Sequence, residues 1–249
     1  MQHTMHKLIT KSAAYFANIK MHIISQLIIR IYIRFYNISL TECIKKQPSQ
    51  YKSLAQFFIR KLDLKNRPMA YSKWVSPADG KVILNQKLND NTTICAKGTG
   101  FTPNQLIQSQ DDISGYHAMT IYLAPRDYHR FHMPKTATLV AIKEAGGLLR
   151  SVDPNNILKH PNLFSENKRV ILTFNSPEGT FYMVMVGALI VGEITLTSEQ
   201  GPLRINAEYK KGEQLGYFTF GSTVIMLTPE ALKAALGPIK VRAQLSDQP

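Results

Sequence analysis

Arg169-Val170-Ile171-Leu172-Thr173-Phe174, then Ser176-Pro177-Glu178-Gly179, then Thr180-Phe181-Tyr182-Met183-Val184-Met185-Val186 is the stretch that decides the fold. Two runs rich in β-branched and aromatic residues flank a Pro/Gly turn, the pattern of strands that follow one another in a sheet. The second run continues to Val191. The same texture recurs from Lys81 to Leu84, His117 to Leu123, Ala137 to Lys143 and Ser222 to Leu227. Gly98-Thr99-Gly100, Asp153-Pro154-Asn155 and Lys211-Gly212-Glu213 read as further turns. The expected class is α+β, with a mostly antiparallel β core, barrel- or sandwich-like, behind N-terminal amphipathic helices.

Upstream of residue 70 the period changes. Ile23, Ile24, Leu27, Ile28, Ile31 and Phe35 recur at helical spacing, with Arg30 and Arg34 on another face. A second helix is expected from Leu54 to Leu62, and Pro68 closes the helical region. The longest uncharged run here, Met21 to Ile29, falls far short of the roughly 20 apolar residues that cross a bilayer. A basic amphipathic helix can lie on an anionic membrane surface or pack on its own domain. The chain therefore divides into a helical, membrane-associating region at 1–70 and a β-rich catalytic domain at 71–249.

The 249 residues carry a formal charge of +13, and five of those charges fall among the first 41 residues, which hold no Asp or Glu. Such a balance selects an anionic partner, nucleic acid or an acidic membrane. No helix-turn-helix, zinc-finger or aromatic RNA-binding pattern accompanies the charge, which disfavours nucleic acid. Cys43 and Cys95 lack metal-ligand spacing and read as reduced structural thiols, so no metal is expected. The lack of a secretory signal points to a peripheral protein on the cytoplasmic face of an inner membrane, with a mitochondrial inner membrane as the alternative.

Asp79, His132 and Ser222 can fill the roles of orienting carboxylate, base and nucleophile, because such triads are defined by geometry and not by chain order. Ser222 lacks the Gly-x-Ser-x-Gly elbow of an α/β-hydrolase, since Phe220 and Val224 stand at the outer positions. A Ser/His/Asp hydrolase with an intact chain and a basic nucleic-acid-binding protein remain the alternatives at this point.

Four segments in register then carry a resemblance. Ser76-Pro77-Ala78-Asp79-Gly80-Lys81-Val82, Tyr128-His129-Arg130-Phe131-His132-Met133-Pro134, Phe164-Ser165-Glu166-Asn167-Lys168-Arg169, and Lys211-Gly212-Glu213-Gln214-Leu215-Gly216 with Phe220-Gly221-Ser222-Thr223-Val224 resemble the phosphatidylserine decarboxylase proenzymes. Lys97 and Gly98 also fit, while Phe101 and Phe220 depart from the usual residues. The resemblance implies self-cleavage between Gly221 and Ser222, with His132 as base and Asp79 as its orienter. It implies a β chain of 1–221, an α chain of 222–249, and a pyruvoyl cofactor made from Ser222 that takes the substrate amine as a Schiff base. His129 is implied in protonation during decarboxylation. The partners implied are phosphatidylserine in an anionic membrane and the two chains themselves; the oligomeric state stays open between monomer and homodimer. If the Tyr-His-Arg-Phe-His segment is extended, His129 and His132 face opposite ways, so a turn or bulge is required for both to serve one site.

Overall fold

The two runs quoted first form an antiparallel hairpin, β5 (Arg169–Ser176) and β6 (Gly179–Gly187), paired from Arg169 opposite Val186 to Ser176 opposite Gly179. The computed structural model describes residues 22–89, 102–160, 162–188, 193–219 and 222–248. Phe220, Gly221, Cys95, Lys97 and the Gly98-Thr99-Gly100 turn lie outside the described residues. Other strands are β1 (Gly80–Lys87), β2 (His117–Leu123), β3 (Arg130–His132), β4 (Ala137–Ala145), β7 (Ile194–Leu196), β8 (Glu208–Tyr209), β9 (Gln214–Phe218), β10 (Ser222–Thr228) and β11 (Gly237–Ile239).

Eight strands make one sheet in the order β11-β1-β2-β10-β6-β5-β4-β8, and β3-β9-β7 make a second. The large sheet ends at β11 and β8, so it does not close into a barrel. One core lies between the sheets, where Phe131, Leu215 and Phe218 meet Met119, Leu172, Met183 and Val224, a sandwich-like arrangement. The opposite face is covered by short helices at Pro103–Ile107 and Leu163–Glu166, whose Leu106 and Phe164 pack on Val184 and Ile225. Cover on both faces explains why β6 and β10 read as unbroken apolar runs instead of alternating ones.

Some boundaries differ from expectation. The helix beginning at Leu54 stops at Phe58, since Ile59 turns its carbonyl to Arg130 Nε at 2.9 Å and Leu62 bridges to Cys43. The expected turn at Asp153 instead starts a helix, Pro154–Lys159, with Asp153 Oδ1 accepting the Asn156 amide proton at 3.1 Å. The strand expected to reach Val191 ends at Gly187, and 189–192 lie outside the described residues.

The amphipathic helix is α1 (His22–Tyr36). Its inner side buries Ile29 against Ile38, Tyr51 and Phe57. The stripe Ile23, Leu27, Ile31 and Phe35 points outward, 59 to 83 % exposed. Among the described residues no helix is long and apolar enough to cross a membrane.

Candidate active site

Ser222 opens β10, held between Leu123 of β2 and Gly187 of β6. It is fully buried, and its Oγ has no hydrogen-bond partner among the described residues; the Thr223 hydroxyl next to it has none either. Gly187 is fixed in turn by Asn167, whose Nδ2 donates to the Gly187 carbonyl at 2.9 Å and to that of Arg150 at 2.8 Å. Arg169 binds the carbonyls of Leu106, Gln105 and Ser165. Asn167 and Arg169 thus shape the frame around Ser222.

Asp79 ends the loop before β1. Its carboxylate accepts from Arg67 Nη1 at 2.9 Å and Nη2 at 3.2 Å, and from the Val241 amide at 2.8 Å. Arg67 also forks onto Glu42 at 2.7 and 2.6 Å, which holds the Glu42 carboxyl below its ordinary range. Gly80 follows because the chain passes close to β2: a Cβ there would stand 2.4 Å from the Tyr122 carbonyl oxygen. Gly80→Ala is expected to lower stability by about 1–3 kcal/mol through that clash, read as a drop in thermal midpoint; an unchanged midpoint would show that the strands can part without cost.

The two histidines occupy different surroundings. The β3–β9 ladder shifts register between Phe131 and His132, the irregularity that the motif required. His132 Nδ1 lies 3.0 Å from the Gly212 carbonyl and Nε2 lies 3.0 Å from the Tyr128 hydroxyl. A carbonyl only accepts, so Nδ1 bears the proton and Nε2 accepts from Tyr128. Burial pushes the His132 imidazole down to about 4. His129 Nδ1 lies 2.9 Å from the Asp127 carbonyl, which places its proton there by the same reasoning. Its Nε2 is buried and bonded to nothing among the described residues, the ring packs on Phe58, and burial pushes it down to about 3. Among the described residues neither nitrogen of His132 bonds to Asp79 or Ser222. Asp79 is committed to Arg67 and Val241, and His132 to Tyr128 and Gly212.

A cleft of about 420 Å³ lies at this corner, lined among others by Asp79, Asp127, Tyr128 and, just after α1, Ile38. A larger cleft of about 560 Å³ near Lys135 and Glu178 touches none of these groups. Arg67 and Arg60, both on the first cleft, are functional candidates that no sequence signal marks; Arg67 precedes a proline in an otherwise unremarkable polar stretch.

The family model for phosphatidylserine decarboxylase matches residues 54–244, from the short helix at Leu54 to the loop beyond β11. The chain belongs to the phosphatidylserine decarboxylase family. The curated phosphatidylserine decarboxylase proenzyme of Francisella tularensis subsp. mediasiatica (strain FSC147) is 37% identical over 240 residues, covering 90% of this chain and 85% of the relative. That of Legionella pneumophila (strain Lens) is 34% identical over 238 residues, covering 88% and 83%. As a phosphatidylserine decarboxylase the chain is an enzyme that acts on a phospholipid, and each of these relatives is named as a precursor.

Proposed function

We propose that this decarboxylase matures by cutting its own Gly221 to Ser222 bond, converts Ser222 to a pyruvoyl group, and with it turns phosphatidylserine into phosphatidylethanolamine at a membrane surface. The carrying observation is the fully buried Ser222 hydroxyl, without a partner among the described residues, at the start of β10. Leaving such a group unpaired costs about 1–3 kcal/mol, so its retention argues for use. The residues fit the group: Ser222 is fully buried, and the lone pair of His129 Nε2 is free of any bond among the described residues.

Attack of Ser222 Oγ on the Gly221 carbonyl exchanges the amide for an ester. Loss of the Ser222 α-proton then expels Gly221 as a carboxylate and leaves a dehydroalanine, which one water converts to the ketone with release of ammonia. We assign His132 as base, with Asp79 supplying negative charge nearby. Since Nε2 of His132 is committed to the Tyr128 hydroxyl, its action passes through that hydroxyl or displaces it. A pyruvoyl ketone supplies an electron sink for the pair left behind by carbon dioxide. Mass spectrometry of the purified protein tests this reading: fragments of 1–221 and 222–249 are expected, the second starting with a ketone. An intact chain that releases carbon dioxide would overturn it.

The membrane role falls to residues 1–70. The outward stripe of α1 ends beside the cleft wall at Ile38, and the exposed Arg30 and Arg34 suit anionic head groups. Replacing Ile23, Leu27 and Phe35 together by Ser is expected to weaken co-sedimentation with phosphatidylserine vesicles at least about tenfold, given roughly 1.5–3 kcal/mol per buried apolar side chain. Unchanged binding would place docking on another surface.

A further inference from the structure

Two buried arginines line the same cleft, and among the described residues only one is ion-paired. Arg67 is forked between Glu42 and Asp79. Arg60 is 4 % exposed, belongs to no ion pair among the described residues, and has an Nη1 with no hydrogen-bond partner. Its Nη2 donates to the carbonyls of Arg126 at 2.6 Å and Asp127 at 2.9 Å, and its guanidinium lies over the Phe57 ring at 5.3 Å. The Cys43 thiol beside it is kept protonated by burial. The nearby Asp127 carboxyl accepts from the Ala124 amide at 2.7 Å and attracts the Arg60 guanidinium without forming an ion pair with it. A guanidinium buried without an ion pair is costly, so the cleft that Arg60 lines suits an anion.

The position of Arg60 says which one. The Asp127 carbonyl that accepts from Arg60 Nη2 also faces His129 Nδ1, so the guanidinium sits one carbonyl away from the His129 ring. Phosphatidylserine offers two anions, a carboxylate and a phosphodiester. The carboxylate charge moves onto the electron sink as carbon dioxide leaves, so a guanidinium paired with it would favour the ground state and slow the reaction. The phosphodiester keeps its charge throughout. We infer that Arg60, which lines the cleft between α1 and the Asp127 loop, is the binding residue for the phosphodiester of phosphatidylserine. This rests on the reading that the serine head group reacts at Ser222 and His129, which do not line the cleft but adjoin its lining residues Tyr122 and Tyr128, Ser222 through its pairing with Leu123 and His129 along the chain. The lipid's anion would be gripped equally before and after the chemistry, and its acyl chains would leave the cleft past Ile38 toward the exposed stripe of α1.

Arg60→Gln is expected to mature into two chains, which reports an intact fold. Its KM for phosphatidylserine in mixed micelles is expected to rise at least about tenfold while kcat stays within about threefold. A fall in kcat at unchanged KM would overturn the assignment and give Arg60 the carboxylate or the chemistry. No change in either constant would overturn it as well. On the wild-type two-chain enzyme, glycerophosphoethanolamine is expected to inhibit competitively and to bind, by calorimetry, at least about tenfold more tightly than ethanolamine, which lacks the phosphodiester. Equal affinities would sink the proposal even if Arg60→Gln failed to fold. Failure of the activity reading is separate: the matured wild-type enzyme would release no carbon dioxide from phosphatidylserine.

Discussion

Ser222→Ala is expected to yield one 28.1 kDa chain that never matures, where the wild type yields chains of about 25 and about 3 kDa by length. The substitution removes the nucleophile and the oxygen that the ester and the elimination both require, so no slower route through the same intermediate remains. The same change should make the precursor slightly more stable. The Ser222 Oγ is buried without a partner among the described residues, and removing it relieves a desolvation penalty of about 1 kcal/mol. For a chain of this length that corresponds to a rise of roughly 2–4 °C in thermal midpoint. The two signs matter together. A loss of cleavage with a lower midpoint would mean that Ser222 is a structural residue whose removal disturbs the site, and cleavage at the normal rate would remove Ser222 from the mechanism.

The β body is legible in sequence because its central strands are covered on both faces. His117–Leu123 is bounded in the structure as its β-rich run suggests, and the strand beginning at Ser222 extends by a single residue, to Thr228. What escapes is set by long-range contacts. The three residues of β3 are too few for a period, and their pairing with β9 depends on a chain segment more than eighty positions away. Helix Leu54–Phe58 stops early because a carbonyl at Ile59 is claimed by Arg130, which no local propensity encodes. The burden on α1 is split in a way that periodicity hints at but does not assign: its apolar residues form more than one stripe, and only packing decides that Ile29 goes in while Ile23, Leu27, Ile31 and Phe35 stay out.

The site follows the same division. Asp79, His129, His132 and Ser222 stand in recognisable motifs, so their identity is readable, whereas their partners are not. Arg67 reaches Asp79 across twelve residues and Val241 reaches it across 162, giving that carboxylate a hydrogen-bonding shell that a triad pattern does not contain. Tyr128, read within its motif only as a neighbour of the histidines, proves to be the hydroxyl bonded to His132 Nε2. That Arg60 has no ion pair among the described residues is visible only once the carboxylates have been placed in space.

His129→Gln is expected to mature into two chains, since His132 and Ser222 remain, and to lose about 10²–10⁴-fold in kcat for decarboxylation. The argument starts from the protonation state. Burial pushes the His129 imidazole down to about 3, so near neutral pH it enters the reaction uncharged, with Nδ1–H facing the Asp127 carbonyl and the Nε2 lone pair unbonded among the described residues. A neutral imidazole cannot begin as an acid. It can take one proton from the substrate's ammonium group, which must be deprotonated before the amine reacts, and return that proton to the carbon that has lost carbon dioxide. That proton makes the new C–H bond, the product amine leaves uncharged and takes its own proton from water, and kcat should show no histidine titration near 6.5. The same burial has a stability signature. Unfolded histidine takes up a proton near 6.5 while folded His129 does so only near 3, so between those values the unfolded state binds more protons and stability falls as the pH falls. His129→Gln should therefore flatten the acid limb of the stability curve as it abolishes turnover, leaving the smaller share due to His132, pushed down to about 4. A matured His129→Gln enzyme that decarboxylates at the wild-type rate would remove His129 from the chemistry, and an unmatured one would move it into the cleavage step.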